Sequence, residues 1–184
     1  MIRSPKYSTN DLKRLALETR AIMEIANEGD LSFARESDEN LETPIYQYLQ
    51  QIGLNVSFEE YLEILKELDY FFEEIHKEKE KWGIDRPFKT ALKYNIPFKR
   101  KFISQTAHSS SYPSGHAAGS RYLVHLISKK YRNVLTEEQI YNLYLIANQI
   151  AWGRIQIGVH TTQDIRAGKE FADAFFESRK TLIR

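Results

Sequence analysis

Two capping boxes constrain this chain more than any other feature: Ser57 with Glu60, and Thr136 with Gln139, each heading an apolar run at helical spacing. In such a box the hydroxyl accepts the backbone N–H three residues on, and the Glu or Gln side chain returns the bond, so helix starts there. Tyr61, Leu62, Leu65, Leu68, Phe72 and Ile75 follow the first box and carry a predicted helix to about Trp82, before Gly83. Tyr144, Ile146, Ile150 and Ile155 follow the second. The same period predicts a helix over 11–28, capped by Thr9 or Asn10, built on Leu12, Leu15, Ala16, Ile22, Met23 and Ala26, and stopped by Gly29. A short helix opens at Thr43 and Pro44 and stops at Gly53, another runs from Pro87 and Phe88 to Tyr94, and a third spans 115–131 with Leu123, Val124, Leu126 and Ile127. Thr161 or Thr162 starts the last, to about Ser178. Residues 35–43 read as a polar linker, and 96–112 as a loop rich in basic residues and serine. No window alternates with period two and nothing repeats, so the predicted class is all-α: one compact helical bundle over residues 1–184.

Composition narrows the function classes. With 42% hydrophobic and 28% charged residues, only 8 Gly and 5 Pro, the chain falls within the globular range, which excludes disordered and collagen-like classes. No stretch approaches the roughly 18 apolar residues of a spanning helix. Lys13, Arg14, Glu18, Arg20 and Glu24 interrupt the apolar residues of the first thirty, leaving no signal-peptide core, so the expected location is the cytoplasm. Cysteine is absent. The net charge of +1 conceals an asymmetry: residues 1–78 hold 8 Lys and Arg against 17 Asp and Glu, whereas 79–184 hold 18 against 8. A basic half suits a phosphate-like anion. Its spread, with a pI near 7.9, tells against nucleic acid. The 12% aromatic content would allow a homo-oligomeric surface without requiring one.

Three segments carry candidate chemistry. Lys79 and Arg86-Pro87 come first; if helix continued between them, seven positions would make nearly two turns and both cations would point one way, although Gly83 intervenes. A planar fork and a point charge together suit a phosphate, while singly they are ordinary surface cations. Tyr112-Pro113-Ser114-Gly115-His116 comes next: a hydroxyl, a glycine that admits close backbone approach, and an imidazole at a helix start, where free N–H groups hold anions. A plain cap with a surface histidine has the same form. Arg154, His160 and Asp164 come last; on one helix face the carboxylate would accept from one ring nitrogen and leave the other as a lone pair, whereas a helix-terminal histidine beside an unrelated acid is the bland alternative.

Taken in order, these segments resemble the tripartite signature of the type 2 phosphatidic acid phosphatase superfamily, which includes class A bacterial acid phosphatases and vanadium haloperoxidases. The resemblance runs from Lys79 to about Phe176, and its strings are most similar to those of the soluble acid phosphatases. One position departs: Gly153 stands where many members have Ser before the arginine. The resemblance implies a bundle of that type, with catalytic motifs over 79–176 and the acidic helices of 1–78 completing it. It implies that Lys79, Arg86 and Arg154 bind the non-bridging phosphate oxygens together with Ser114 and the Gly115 N–H. It makes His160 the nucleophile, Asp164 the group holding its tautomer, and His116 the acid for the leaving oxygen and then the base for water. No metal or other cofactor is implied, since three cations offset the transition-state charge. The expected substrate is a small phosphomonoester or diphosphate, and the expected pH profile is a bell, with His160 neutral and His116 charged. Two alternatives stand beside it: a vanadate-dependent haloperoxidase, for which the chain is short, and a non-catalytic phosphate-binding module.

Other residues receive plainer readings. His76 is expected to be solvated, His125 to pack or lie on a helix surface, and His108 to be a loop residue; zinc among His116, His125 and His160 is disfavoured for want of a short-spaced ligand pair. Tyr94, Phe98, Phe102, His108 and Tyr112 are the candidate substrate walls, with the basic stretch 97–102 edging an anionic pocket.

Overall fold

A computed structural model describes the backbone over residues 9–28, 31–98 and 104–183, with side chains from residue 16 onward. The side chains of Thr9, Asn10, Leu12 and Leu15, the stop at Gly29, and the basic stretch Lys99, Arg100, Lys101 with Phe102 lie outside the described residues. Among the described residues the structure is all helical: α1 (Thr9–Glu28), α2 (Ser32–Glu39), α3 (Thr43–Gln51), α4 (Phe58–Glu80), α5 (Pro87–Lys93), α6 (Gly115–Lys130), α7 (Glu137–Gln156) and α8 (Thr162–Arg179). No helix is long and apolar enough to cross a membrane among these residues.

Both capping boxes form. Ser57 Oγ accepts from Glu60 N–H at 3.2 Å and Glu60 returns the bond at 3.0 Å; Thr136 and Gln139 do the same at 3.2 and 2.9 Å. Helix α6 sits at the centre, burying Tyr122, Leu123, Val124, Leu126 and Ile127 against Ile45 and Leu49 of α3, Leu68, Phe71 and Ile75 of α4, and Leu143 and Ile150 of α7. Phe71 stacks on Tyr122 with ring centroids 4.4 Å apart. A second cluster joins Ile22 and Met23 of α1 to Ala91 of α5, Ala117 at the start of α6, and Ile155 and Ile165. It fixes the region where α6 begins and α7 ends.

One predicted element is corrected. Residues 35–43 are not a linker: most of them belong to α2, which buries Ala34, Ser37 and Asp38. The inward face of this helix is small and polar, so its period is invisible to a search for apolar residues. Leu31 and Ala34 join Ile157 and Val159 in a third cluster, so α2 packs against the end of α7.

Candidate active site

Lys79 and Arg86 do not ride one helix. Helix α4 ends at Glu80, and Gly83, at φ +58, turns the chain so that Arg86 becomes the residue before α5. The expected two-turn alignment is therefore replaced by convergence on a shared loop: Lys79 Nζ donates to the Ser110 carbonyl at 2.8 Å and Arg86 Nε to the Ser109 carbonyl at 3.1 Å. The loop is tied back in turn. Ser111 N–H donates to the Ile84 carbonyl at 2.9 Å, and Ile84 N–H to Ser110 Oγ at 3.0 Å. Both cations are buried, and burial, with the Arg86 charge nearby, brings the Lys79 ammonium down to about 7.

His160 also departs from the helical expectation, because it precedes α8 rather than riding on it. Thr161 is the cap; its Oγ accepts Asp164 N–H at 3.1 Å and its own N–H donates to Asp164 Oδ2 at 2.8 Å. This third box turns the carboxylate back toward the preceding residue, so that His160 Nδ1 lies 3.4 Å from Asp164 Oδ2 and 3.4 Å from Ser111 Oγ. Ser111 donates to the same carboxylate oxygen at 2.5 Å. On the other side of the ring, Nε2 lies 3.1 Å from Arg86 Nη1. A guanidinium can only donate, so Nε2 is the acceptor and the neutral ring carries its proton on Nδ1. Burial and the charges of Arg86, Lys79 and Arg154 hold His160 well below the usual imidazole range, while burial pushes Asp164 up against the bond from Ser111.

The five-residue interval between Arg154 and His160 has a backbone reason: the Arg154 carbonyl accepts from Val159 N–H at 3.1 Å and His160 N–H at 3.3 Å, closing the turn that presents the ring. Arg154 is 1% exposed. Its Nη1 meets Asp38 Oδ1, its Nη2 donates to Ser104 Oγ and Thr106 Oγ1 at 3.1 Å each, and its Nε has no partner among the described residues. That N–H has almost no accessible surface, so it is a buried donor left without a partner and not an opening into the cavity.

Asp38 is the buried residue of this cavity that the sequence did not single out. Besides pairing with Arg154, its carboxylate accepts from Ser104 Oγ at 2.7 Å and Gln105 N–H at 3.1 Å. Its backbone carbonyl takes the Nε2 proton of His116 at 2.9 Å. That carbonyl can only accept, so the neutral His116 ring keeps its lone pair on Nδ1. Desolvation, with Arg154 nearby, brings His116 down to about 3, so both histidines are neutral in the ligand-free site. The charge that an acid role would ask of His116 is thus opposed by its surroundings. The departure at Gly153 belongs to the same contact, since a Cβ there would come within 3.2 Å of the Ala34 backbone in α2. Glycine lets α2 approach α7 closely, and the same approach brings Asp38 onto Arg154.

Ser114 caps α6 with its hydroxyl 3.4 Å from Ala117 N–H, and its own N–H donates to the Asp164 carbonyl at 2.9 Å. A Cβ at Gly168 would collide with the Ser114 carbonyl, so glycine there lets α8 cross the head of α6. These contacts place six of the expected residues, Lys79, Arg86, Gly115, His116, Arg154 and His160, in the lining of one cavity of about 430 Å³. Ser114 and Asp164 stand behind that lining as supports. Leu41, Phe72 and Ile75 form its apolar wall, and Glu39, Glu42, His76 and His108 also line it. Of the candidate walls, His108 takes this position. Tyr94 lines a separate hollow with Leu17, Phe98 packs with the α1 cluster, and Tyr112 is buried edge-on to Trp82. His76 is exposed, as expected, and also lines this cavity. A larger cavity of about 650 Å³ between α3 and the head of α4 carries no histidine, lysine or arginine among its lining residues.

No protein-family model matches the chain, and no curated protein matches it.

Proposed function

We propose that this chain is a metal-independent phosphatase of the type 2 phosphatidic acid phosphatase kind, hydrolysing small phosphate esters through a phosphohistidine on His160. The observation that carries the reading is the His160 ring: Nδ1 is turned to Asp164 and Ser111, and Nε2 is held as a lone pair against Arg86 in a cavity that also holds Lys79, Arg154 and His116. Phosphate oxygens would take the N–H groups of Lys79, Arg86 and Arg154, with the Gly115 N–H at the head of α6.

His160 Nε2 then attacks phosphorus and the P–O bond to the alcohol breaks. The alkoxide receives a proton from His116 Nδ1. That proton arrives with the substrate: burial foremost, with Arg154 beside it, holds His116 neutral, and the negative charges of the ester offset the guanidinium part of that effect. In the second half His116 takes a proton from water, the hydroxyl oxygen bonds to phosphorus, and the P–N bond breaks to free His160 and inorganic phosphate. Asp38 holds two participants at once, Arg154 through its side chain and His116 through its carbonyl.

Hydrolysis of p-nitrophenyl phosphate in EDTA, inhibited by orthovanadate and lost in His160→Ala, is the expected result. A sample quenched in alkaline detergent should contain base-stable, acid-labile phosphate on the wild type alone. Turnover by His160→Ala at the wild-type rate overturns the proposal, and peroxide-dependent halide oxidation after vanadate loading would favour the haloperoxidase instead.

A further inference from the structure

The cavity is electrically two-sided. Its inner part carries Lys79, Arg86 and Arg154, of which Arg154 is already offset by Asp38. Its outer part carries Glu39, exposed, and Glu42, half-buried, both from the acidic end of the chain, and neither carboxylate has a hydrogen bond or ion pair among the described residues. Leu41, Phe72 and Ile75 supply the apolar part of its lining. At about 430 Å³ the space is near the lower end of small-molecule sites, which suits a short leaving group.

We infer that Glu39 and Glu42 set the substrate class: phosphate monoesters of short alcohols that carry a cationic group, such as aminoalkyl phosphates, in preference to esters with a second anionic group. This inference rests on the phosphatase reading for the orientation of the ligand, phosphate inward and alcohol outward. The three buried cations Lys79, Arg86 and Arg154, all in the lining of one cavity, mark its inner end for an anion. In that orientation an ammonium two or three bonds beyond the ester oxygen is directed toward the more exposed, acidic part of the lining. Diphosphates are disfavoured by the same geometry, because their leaving group is itself an anion that must depart past two carboxylates.

The test compares three near-isosteric esters, 2-aminoethyl phosphate, propyl phosphate and phosphoglycolate, together with inorganic pyrophosphate. The expected order of kcat/KM is cationic, neutral, anionic, with a spread of about tenfold between the ends at low salt that shrinks as ionic strength rises. Glu39→Gln with Glu42→Gln should collapse the spread, and Glu42→Lys should reverse it. If all are hydrolysed with no charge preference, or the anionic compounds are preferred, the inference is overturned while the phosphatase reading stands. If none is hydrolysed, nor p-nitrophenyl phosphate, the phosphatase reading fails. Affinities of the same compounds for the full chain, read by calorimetry, then decide the inference: the same order supports it, and a flat or inverted order overturns it.

Discussion

His160 with Asp164 and His125 with Asp173 are both imidazole–carboxylate pairs, yet they are built for different ends. The first is wholly buried, with 3.4 Å between nitrogen and oxygen; its carboxyl is pushed up by desolvation and its ring pushed down by desolvation and three surrounding cations. The second is half-buried between α6 and α8 at 2.7 Å, with Arg121 on the same carboxylate and Tyr144 of α7 donating to the other ring nitrogen at 2.9 Å. Bonds from His125 and Arg121 outweigh burial and draw Asp173 down to about 2. Every polar atom of the second pair is satisfied, and its ring is stacked on Phe176 at 4.7 Å. The first pair keeps one nitrogen facing a cavity and leaves Asp164 Oδ1 without a partner. Composition does not distinguish the two pairs; what surrounds each ring does.

The contrast is broken most directly by removing each ring. His160→Ala should lower kcat/KM by at least about 10⁴-fold, since loss of a nucleophile removes the reaction path, and thermal melting should show the protein still folded. Comparable turnover in His125→Ala and His160→Ala would erase the distinction between the pairs. Asp164→Asn belongs with the first ring: it keeps the shape but no longer selects the Nδ1 proton, and a fall on the order of 10² to 10⁴ in kcat is expected.

Asp38 tests whether α2 belongs to the buried site. Asp38→Ala leaves the Arg154 guanidinium buried and uncompensated, a loss of about 3–5 kcal/mol in unfolding free energy, measurable as a lowered urea midpoint. Inorganic phosphate should recover more stability in this variant than in the wild type, because the anion replaces the missing carboxylate. A midpoint unmoved by Asp38→Ala would show that the pair with Arg154 contributes nothing to the fold.

The parts that could be read ahead of the structure are those whose signal is local. Capping boxes at Ser57 and Thr136 depend on residues three apart, and the motif residues from Lys79 to Asp164 are distinctive side chains at fixed intervals. What escaped depends on contacts across the chain. Asp38 meets Arg154 from 116 positions away, on a helix whose buried face is Ala34, Ser37 and Asp38, and nothing in that face announces a core. Gly153 looked like a missing serine, and its reason lies in Ala34 of another helix. The intervals were sound but the geometry drawn from them was not: Lys79 and Arg86 meet through the Ser109 and Ser110 carbonyls, and His160 reaches Asp164 through a helix cap rather than along a helix face.

Proton linkage sharpens the same comparison at Lys79. Its ammonium titrates near 7 in the ligand-free site, and a phosphate dianion beside it favours the charged form, raising the value on binding. A group whose value rises on binding strengthens affinity fully below its free value, and that gain is lost as pH climbs through the free value toward the bound one. Phosphate affinity should therefore fall above pH 7, with uptake of up to one proton per phosphate. Calorimetry in buffers of differing ionisation enthalpy reads this uptake directly, and Lys79→Arg should flatten it. Binding without proton exchange at pH 8 would remove Lys79 from the cradle.

The smallest effect belongs to the second pair, and it has its own pH signature. His116 and His160 are depressed in the folded state, so the unfolded chain takes up protons that the native rings refuse; stability is full above about pH 6.5 and declines as pH falls below it toward the folded values. Asp173 is depressed from 3.8 to about 2, so its contribution is present above 3.8 and is lost only as pH falls through about 2. Asp173→Asn should therefore leave the decline between pH 6 and 4 in place. At pH 7 it should lower stability by only about 0.5 kcal/mol, because the carboxylate is partly solvated and its attraction is screened. Chemical denaturation at pH 7, 5 and 4 separates the two contributions: a decline that disappears in Asp173→Asn would move the acid sensitivity from the cavity histidines to the brace between α6 and α8.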